Sequence, residues 1–179
     1  MSNCIETTIK TDRVYSGKII NLRVDTVELP HQKYSKREIV EHPGGVAIIA
    51  VDSDGKIPIV KQFRKAAEDY LLEIPAGKLE HGEQPIDTAK RELLEETGYT
   101  ADNLEKLTSF YSSPGFTNEI IHIFVAQNLT SGEAKPDEDE YIEVEKYSIE
   151  ELKQMIEDKE IKDSKSIIAI LMYDSFIKK

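Results

Sequence analysis

An α/β or α+β sandwich is the fold class the sequence predicts. Two observations carry the prediction. Short β-branched apolar runs alternate with polar turns through most of the chain, and helical runs with apolar residues at three-and-four spacing fall between and after them. No repeat or low-complexity tract interrupts this pattern, and 179 residues suffice for one compact unit with a substantial core.

The chain opens with β-like alternation. "GKIINLRVDTVELP" and "SKREIVEHPG" flank the polar break "HQKY", which predicts a hairpin or meander. Residues 1–43 are therefore expected to form a small N-terminal β segment, packed on the body or exchanged with a second subunit, and residues 44–179 the main domain. "VAIIAV" and "IPIVKQF" are two apolar runs separated by "DSDGK", whose Asp-Gly predicts a turn and a buried hairpin. After the Gly- and Pro-punctuated "LLEIPAGKLEHGEQP", a helix is expected from about Pro85 to Thr97, with Ile86, Ala89 and Leu93 as its apolar face and Gly98 as its stop. "KLTSFYSSPGFTNEIIHIFVAQNL" reads as strand, loop, strand, and "YIEVEKYS" as a further strand. Ile149–Asp158 and Ser164–Lys178 are expected helices, the last with Ile167, Ile168, Leu171, Met172 and Phe176 on one face.

Composition narrows the function. A net charge of −11 argues against nonspecific nucleic-acid binding, which needs clustered Lys and Arg. No apolar run is long enough for a membrane span, no secretory signal is readable, and Cys4 has no intrachain partner, so a cytoplasmic address is expected. The acids concentrate in "EDYLLEIPAGKLEHGE", "RELLEETG" and "KPDEDEYIEVE", and clustered acids can hold a divalent cation.

"RELLEETG" is the sharpest case. On a helical wheel Glu92, Glu95 and Glu96 share an arc of about 100°, roughly opposite Ile86 and Leu93, and they lie near the negative end of the helix dipole. Like charges at this spacing repel. Lys90 and Arg91 point elsewhere on the wheel, which leaves two explanations: a solvated polar face, or carboxylates completed by a cation such as Mg²⁺, which favours carboxylate oxygen and keeps substrate phosphates among its ligands.

Gly77, Glu83, Arg91-Glu92-Leu93, Glu95-Glu96 and Gly98 stand at spacings that closely resemble the Nudix box. One departure is Tyr99, where the box usually closes on an aliphatic residue. The resemblance implies a Nudix-type α/β/α sandwich around a mixed sheet, and hydrolysis of a nucleoside diphosphate linked to another moiety by metal-activated water. It also implies Mg²⁺, or Mn²⁺ in its place, with more than one ion. Downstream, "REIVEHPGGVAII", "VKQFR", "LLEIPAGKLEHGE" and Pro114 in "SPGFTNE" resemble the ADP-ribose pyrophosphatase branch.

That branch implies a substrate, ADP-ribose, split into AMP and ribose 5-phosphate, and a homodimer. Carried over by position, the Ala76 carbonyl and the Glu92, Glu96 and Glu140 side chains are metal ligands. Glu138 resembles the general base, Glu95 assists, and Arg91 holds the box carboxylates in place. Arg37 and Arg64 match substrate-contacting arginines, Glu119 a contact to the terminal ribose, and Gly77 a close backbone approach. The branch's aromatic after an N-terminal glycine is missing, since Lys18 and Ile19 follow Gly17; Tyr15 or Tyr34 is the candidate substitute. His42 and His81 are assigned no chemistry. The alternatives are other ADP-sugars, nucleotide sugars or oxidised nucleoside triphosphates, and a sensor that binds ADP-ribose without cleaving it.

Overall fold

The computed structural model describes residues 5–135 and 141–176. The chain divides into two compact units, Met1–Gly44 with Tyr111–Ile120, and Gly45–Phe110 with Ile121–Lys179.

The first unit is an antiparallel meander of β1 (Thr7–Ser16), β2 (Asn21–Leu29) and β3 (Lys33–Glu41). The break predicted at "HQKY" is the β2–β3 turn, where His31 and Gln32 both take positive φ, at 66° and 56°. β2 is the central strand, and it carries the buried Asp25, which accepts from Thr11 Oγ1 at 2.8 Å and faces Arg23 at 3.4 Å. Burial without partners would disfavour that charge. All ten residues of β1 are exposed, including Ile9, Val14 and Tyr15. Residues 111–120 join this unit through a parallel bridge between Val40 and Thr117.

Among the described residues, the second unit holds two sheets and three helices. β4 (Gly45–Ala50) lies inside a mixed four-stranded sheet ordered β7-β4-β9-β8, where β7 is Ala76–Lys78, β8 Tyr99–Tyr111 and β9 Ile120–Ser131. β4 runs antiparallel to β7 and parallel to β9. β5 (Ile57–Arg64) is the centre of a second sheet, between β10 (Glu143–Tyr147) and β6 (Asp69–Glu73), antiparallel to both. The expected β4–β5 hairpin therefore does not form. The turn is present, with Asp52 N–H donating to Lys56 O at 2.9 Å, but the strands leave it into different sheets. β4 and the first four residues of β5 are buried on both faces, and periodicity cannot assign partners to such stretches.

β4 alternates between two cores. Val46, Ile48 and Ala50 pack with Ala89 and Leu93 of α1 (Pro85–Thr97), while Ala47 and Ile49 pack with β5 and with α2 (Ile149–Glu157) and α3 (Ser164–Phe176). Helices thus cover opposite faces of the mixed sheet. Ile86 is 39% exposed and is not part of the α1 core face, because it stands in the first turn, ahead of where the helix meets β4. α3 differs as well: Ser166, Ala169, Ile170 and Tyr173 are its buried residues, and Leu171 and Phe176 are exposed. A helix apolar nearly all round does not reveal its inner face from periodicity. α2 is closed by a capping box between Ser148 and Glu151.

Candidate active site

The site is built where β7 meets α1. Pro85 starts the helix and Gly98 stops it in the left-handed region at φ 74°, with its N–H on Leu94 O at 2.8 Å. The last helical carbonyls are answered from the far end of β9: Lys135 N–H donates to Glu95 O at 2.9 Å and Gly132 N–H to Gly98 O at 2.7 Å. This fastens the start of the acidic segment to the end of the glutamate helix. Glu138 and Glu140 themselves lie outside the described residues.

Glu92 and Glu96 are not on a solvated face. They are 9% and 3% exposed, held against β7 rather than turned to water. Glu96 Oε2 accepts from Ala76 N–H at 2.9 Å. Gly77 leaves the space that the Glu92 carboxylate fills, for a β-carbon there would stand 1.9 Å from the Glu92 carboxyl carbon. The wheel argument misplaced these acids because it considered one helix alone. A short strand packed along that flank buries the face.

Arg91 also departs from the wheel. Its Nη1 donates to Glu92 Oε1 at 2.9 Å and to Glu95 Oε2 at 2.8 Å, while Nε and Nη2 reach Glu83 at 3.3 and 3.2 Å. A long flexible side chain can reach round a helix further than its Cβ direction suggests. Burial works against the guanidinium charge, but Glu83, Glu92 and Glu95 together raise its pKa above the ordinary value. In return Arg91 lowers the pKa of Glu83.

Arg64 is placed by a residue that the sequence analysis missed. Its Nε and Nη2 donate to Glu73 Oε1 and Oε2 at 2.7 and 2.8 Å, a two-pronged contact to a carboxylate only 1% exposed. Lys165 donates to the same carboxylate. Burial pushes the Glu73 pKa up, but Arg64 and Lys165 overcome this and bring it down to about 2. Glu73 raises the pKa of Arg64 against the cost of burial, and the charges of Glu96 and Asp163 add to that effect. Arg64 thus feels one α1 carboxylate, that of Glu96. The available signal was the lone acid at the end of the apolar run "LLEI", a poor place for a charge without partners.

In the first unit, Arg37 forks onto Glu6, with Nε and Nη2 contacts of 2.9 and 2.6 Å. Glu119 accepts from Ser112 Oγ at 2.6 Å and lies 3.1 Å from His42 Nδ1. Tyr15 and Tyr34 are both exposed. The Tyr15 ring closes over Gly17, where a β-carbon would meet it at 2.5 Å.

Could this site hold a metal? Among the described residues, no three His, Cys, Asp or Glu side chains already converge as a ligand set. The donors at β7 and α1 are nonetheless the right kind: two buried carboxylates and a backbone carbonyl, all hard oxygens, beside a residue without a side chain. Three acids sharing one guanidinium leave negative charge over for a cation.

Comparisons with known proteins give the family and the fold. A NUDIX domain matches residues 41–169, and a nucleoside diphosphate sugar hydrolase N-terminal domain matches residues 6–45. The chain is 53% identical over 172 residues to the ADP-ribose pyrophosphatase of Bacillus subtilis strain 168, covering 95% of this chain and 93% of that protein. It is 52% identical over 167 residues to the methanol dehydrogenase activator of Bacillus methanolicus, covering 92% and 90%. A crystal structure described as an ADP compounds hydrolase superposes with a TM-score of 0.85 over 97% of this chain and 94% of that one. At 21% identity, that likeness is one of fold.

Proposed function

The chain belongs to the Nudix family as a pyrophosphatase, and we propose that its substrate is ADP-ribose, split into AMP and ribose 5-phosphate. The substrate is supported by the 53% identity to an ADP-ribose pyrophosphatase, and the hydrolytic chemistry by one observation: Glu92 and Glu96 are buried against Ala76 and Gly77, two carboxylates that a helix without a site to build has no reason to take out of water. In the reaction, water adds across the P–O–P bridge. One phosphorus gains the hydroxyl, the bridging P–O bond breaks, and the leaving phosphate oxygen ends with a proton.

Each residue has a part in this proposal. The Ala76 carbonyl, Glu92, Glu96 and Glu140 hold Mg²⁺ or Mn²⁺, more than one ion in all. Bound there, the divalent cation supplies charge to the phosphate oxygens and acidifies water. Glu138 takes the proton from the attacking water, Glu95 supports it, and Arg91 keeps Glu92 and Glu95 in register. Arg64 and Arg37 bind the anionic substrate and Glu119 accepts from ribose hydroxyls. Gly77 gives Glu92 its place.

Assembly and address belong to the same proposal: a cytoplasmic homodimer. Among the described residues no helix is long and apolar enough to cross a membrane. Support for the dimer comes from β1, a ten-residue edge strand exposed throughout with Ile9, Val14 and Tyr15 on it, since proteins rarely leave such an edge uncovered.

The test is a substrate panel with Mg²⁺: ADP-ribose, other ADP-sugars, further nucleotide sugars and an oxidised nucleoside triphosphate. ADP-ribose is expected to give the highest kcat/KM with AMP and ribose 5-phosphate as products, and no AMP release would overturn the proposal. A broader nucleotide-sugar range is the second reading, favoured by the missing aromatic after Gly17. Tight binding without turnover would instead mark a sensor. In Glu96→Gln, activity should fall about a hundredfold or more, and added Mg²⁺ should raise Tm less than in wild type.

A further inference from the structure

We propose that Glu73, backed by Lys165, is the positioning residue that aims Arg64 at the substrate's pyrophosphate; this rests on the assignment of Arg64 as a substrate-binding residue. The geometry is directional. Engaging Nε and Nη2 on the two Glu73 oxygens fixes the guanidinium plane and leaves Nη1 as its free edge. Nη1 makes no hydrogen bond to the described residues. The anchor is stiff in turn. Lys165 contacts both Glu73 and, at 3.0 Å, Asp163. Asp163 accepts from Ser166 N–H and Oγ at 2.9 and 2.6 Å, and Ser166 Oγ accepts from Ile74 N–H at 2.9 Å. The residue after Glu73 and the start of α3 are thereby tied together, and Arg64 is mounted on that joint.

Charge bookkeeping separates aiming from simple attraction. Arg64 and Lys165 are balanced by Glu73 and Asp163, so the cluster offers an anionic substrate oriented N–H donors more than net positive charge. Removing the Glu73 charge makes the cluster more positive. A purely electrostatic role for Arg64 then predicts a lower KM in Glu73→Gln, whereas loss of aim predicts a higher one.

The experiment measures kcat and KM for ADP-ribose at saturating Mg²⁺ in Arg64→Lys, Glu73→Gln, the double variant and Glu73→Asp, with thermal unfolding of each. Arg64→Lys and Glu73→Gln should each raise KM about tenfold with a smaller change in kcat, and the double variant should be no worse than Arg64→Lys alone. A folded Glu73→Gln with unchanged or lowered KM, or a double variant whose losses simply add, overturns the proposal. If Glu73→Gln does not fold, Glu73→Asp carries the same comparison, because it keeps the charge but withdraws the fork by one methylene; there a wild-type KM overturns it. An unchanged KM in Arg64→Lys removes the premise itself. A raised KM in Arg64→Lys beside normal values in the Glu73 variants defeats only the positioning role.

Discussion

Gly77 and Glu92 share one volume: a β-carbon on Gly77 would lie 1.9 Å from the carboxyl carbon of Glu92 and equally close to its Oε1. Two residues fifteen positions apart are thus a single fitted part, strand backbone against helix carboxylate.

Gly77→Ala should therefore act as a lesion of Glu92. The methyl must displace the carboxylate, since the backbone of Gly77 is held in register by pairing with Val46 of β4. Overpacking of this kind costs about 1–3 kcal/mol. Hydrolysis of ADP-ribose should fall at least about tenfold, with weaker Mg²⁺ binding by calorimetry. Wild-type Mg²⁺ affinity would show that Glu92 is not a ligand.

Arg91→Met tests the charge balance. It leaves Glu83, Glu92 and Glu95 without the guanidinium that now contacts all three. Arg91 is about a third exposed, so the apo protein should lose about 2 kcal/mol rather than the full cost of a buried pair. Saturating Mg²⁺ should restore part of the Tm, and to a greater extent than it raises that of wild type. Equal Mg²⁺ shifts in both proteins would count against a metal beside these glutamates.

Glu73 predicts an acid-side loss of stability. Its folded pKa of about 2 lies below the ordinary 4.5, so its contribution is fully present above pH 4.5 and disappears as pH falls through about 2. The size is about 3 kcal/mol. Urea unfolding at a series of pH values should show this slope, and Glu73→Gln should flatten it between 4.5 and 2. An unaltered slope would assign the acid sensitivity to other carboxylates.

Gly98→Ala should be costly for two separate reasons. Its φ of 74° strains any L side chain, and a β-carbon would stand 2.8 Å from Ala134 N and 2.9 Å from Gly132 O. A loss of about 2 kcal/mol is expected. Faster hydrogen exchange at Gly132 and Lys135, whose N–H groups bond Gly98 O and Glu95 O, is the more specific readout.

The sequence was most legible where local rules act. Pro85 and Gly98 bound α1 as expected, α2 begins at Ile149 as expected, and the polar break at His31 forms a turn. Each of these depends on a cap or a backbone preference within a few residues. Pairing was much less legible. β4 and β5 look like neighbours in sequence, yet β4 pairs with β7 and β9, because a strand buried on both faces carries no mark of its partner.

The same division holds in the candidate site. The helical wheel grouped Glu92, Glu95 and Glu96, and the resemblance to the Nudix box added Gly77, Glu83 and Arg91, since a helix and a short loop convert sequence intervals into positions with little freedom. Contacts from outside that motif had to come from the fold. Packing against β7 turned Glu92 and Glu96 from a presumed outer face into a buried pair, and Arg91 reached carboxylates that a helical wheel set apart from it. Glu73 went unnoticed because its partners, Arg64 and Lys165, come from another strand and from the last helix. Local geometry is written in neighbouring residues, so the sequence by itself determined the motif and most element boundaries. Burial and long-range ion pairing depend on which surfaces meet, and only the tertiary structure decided those.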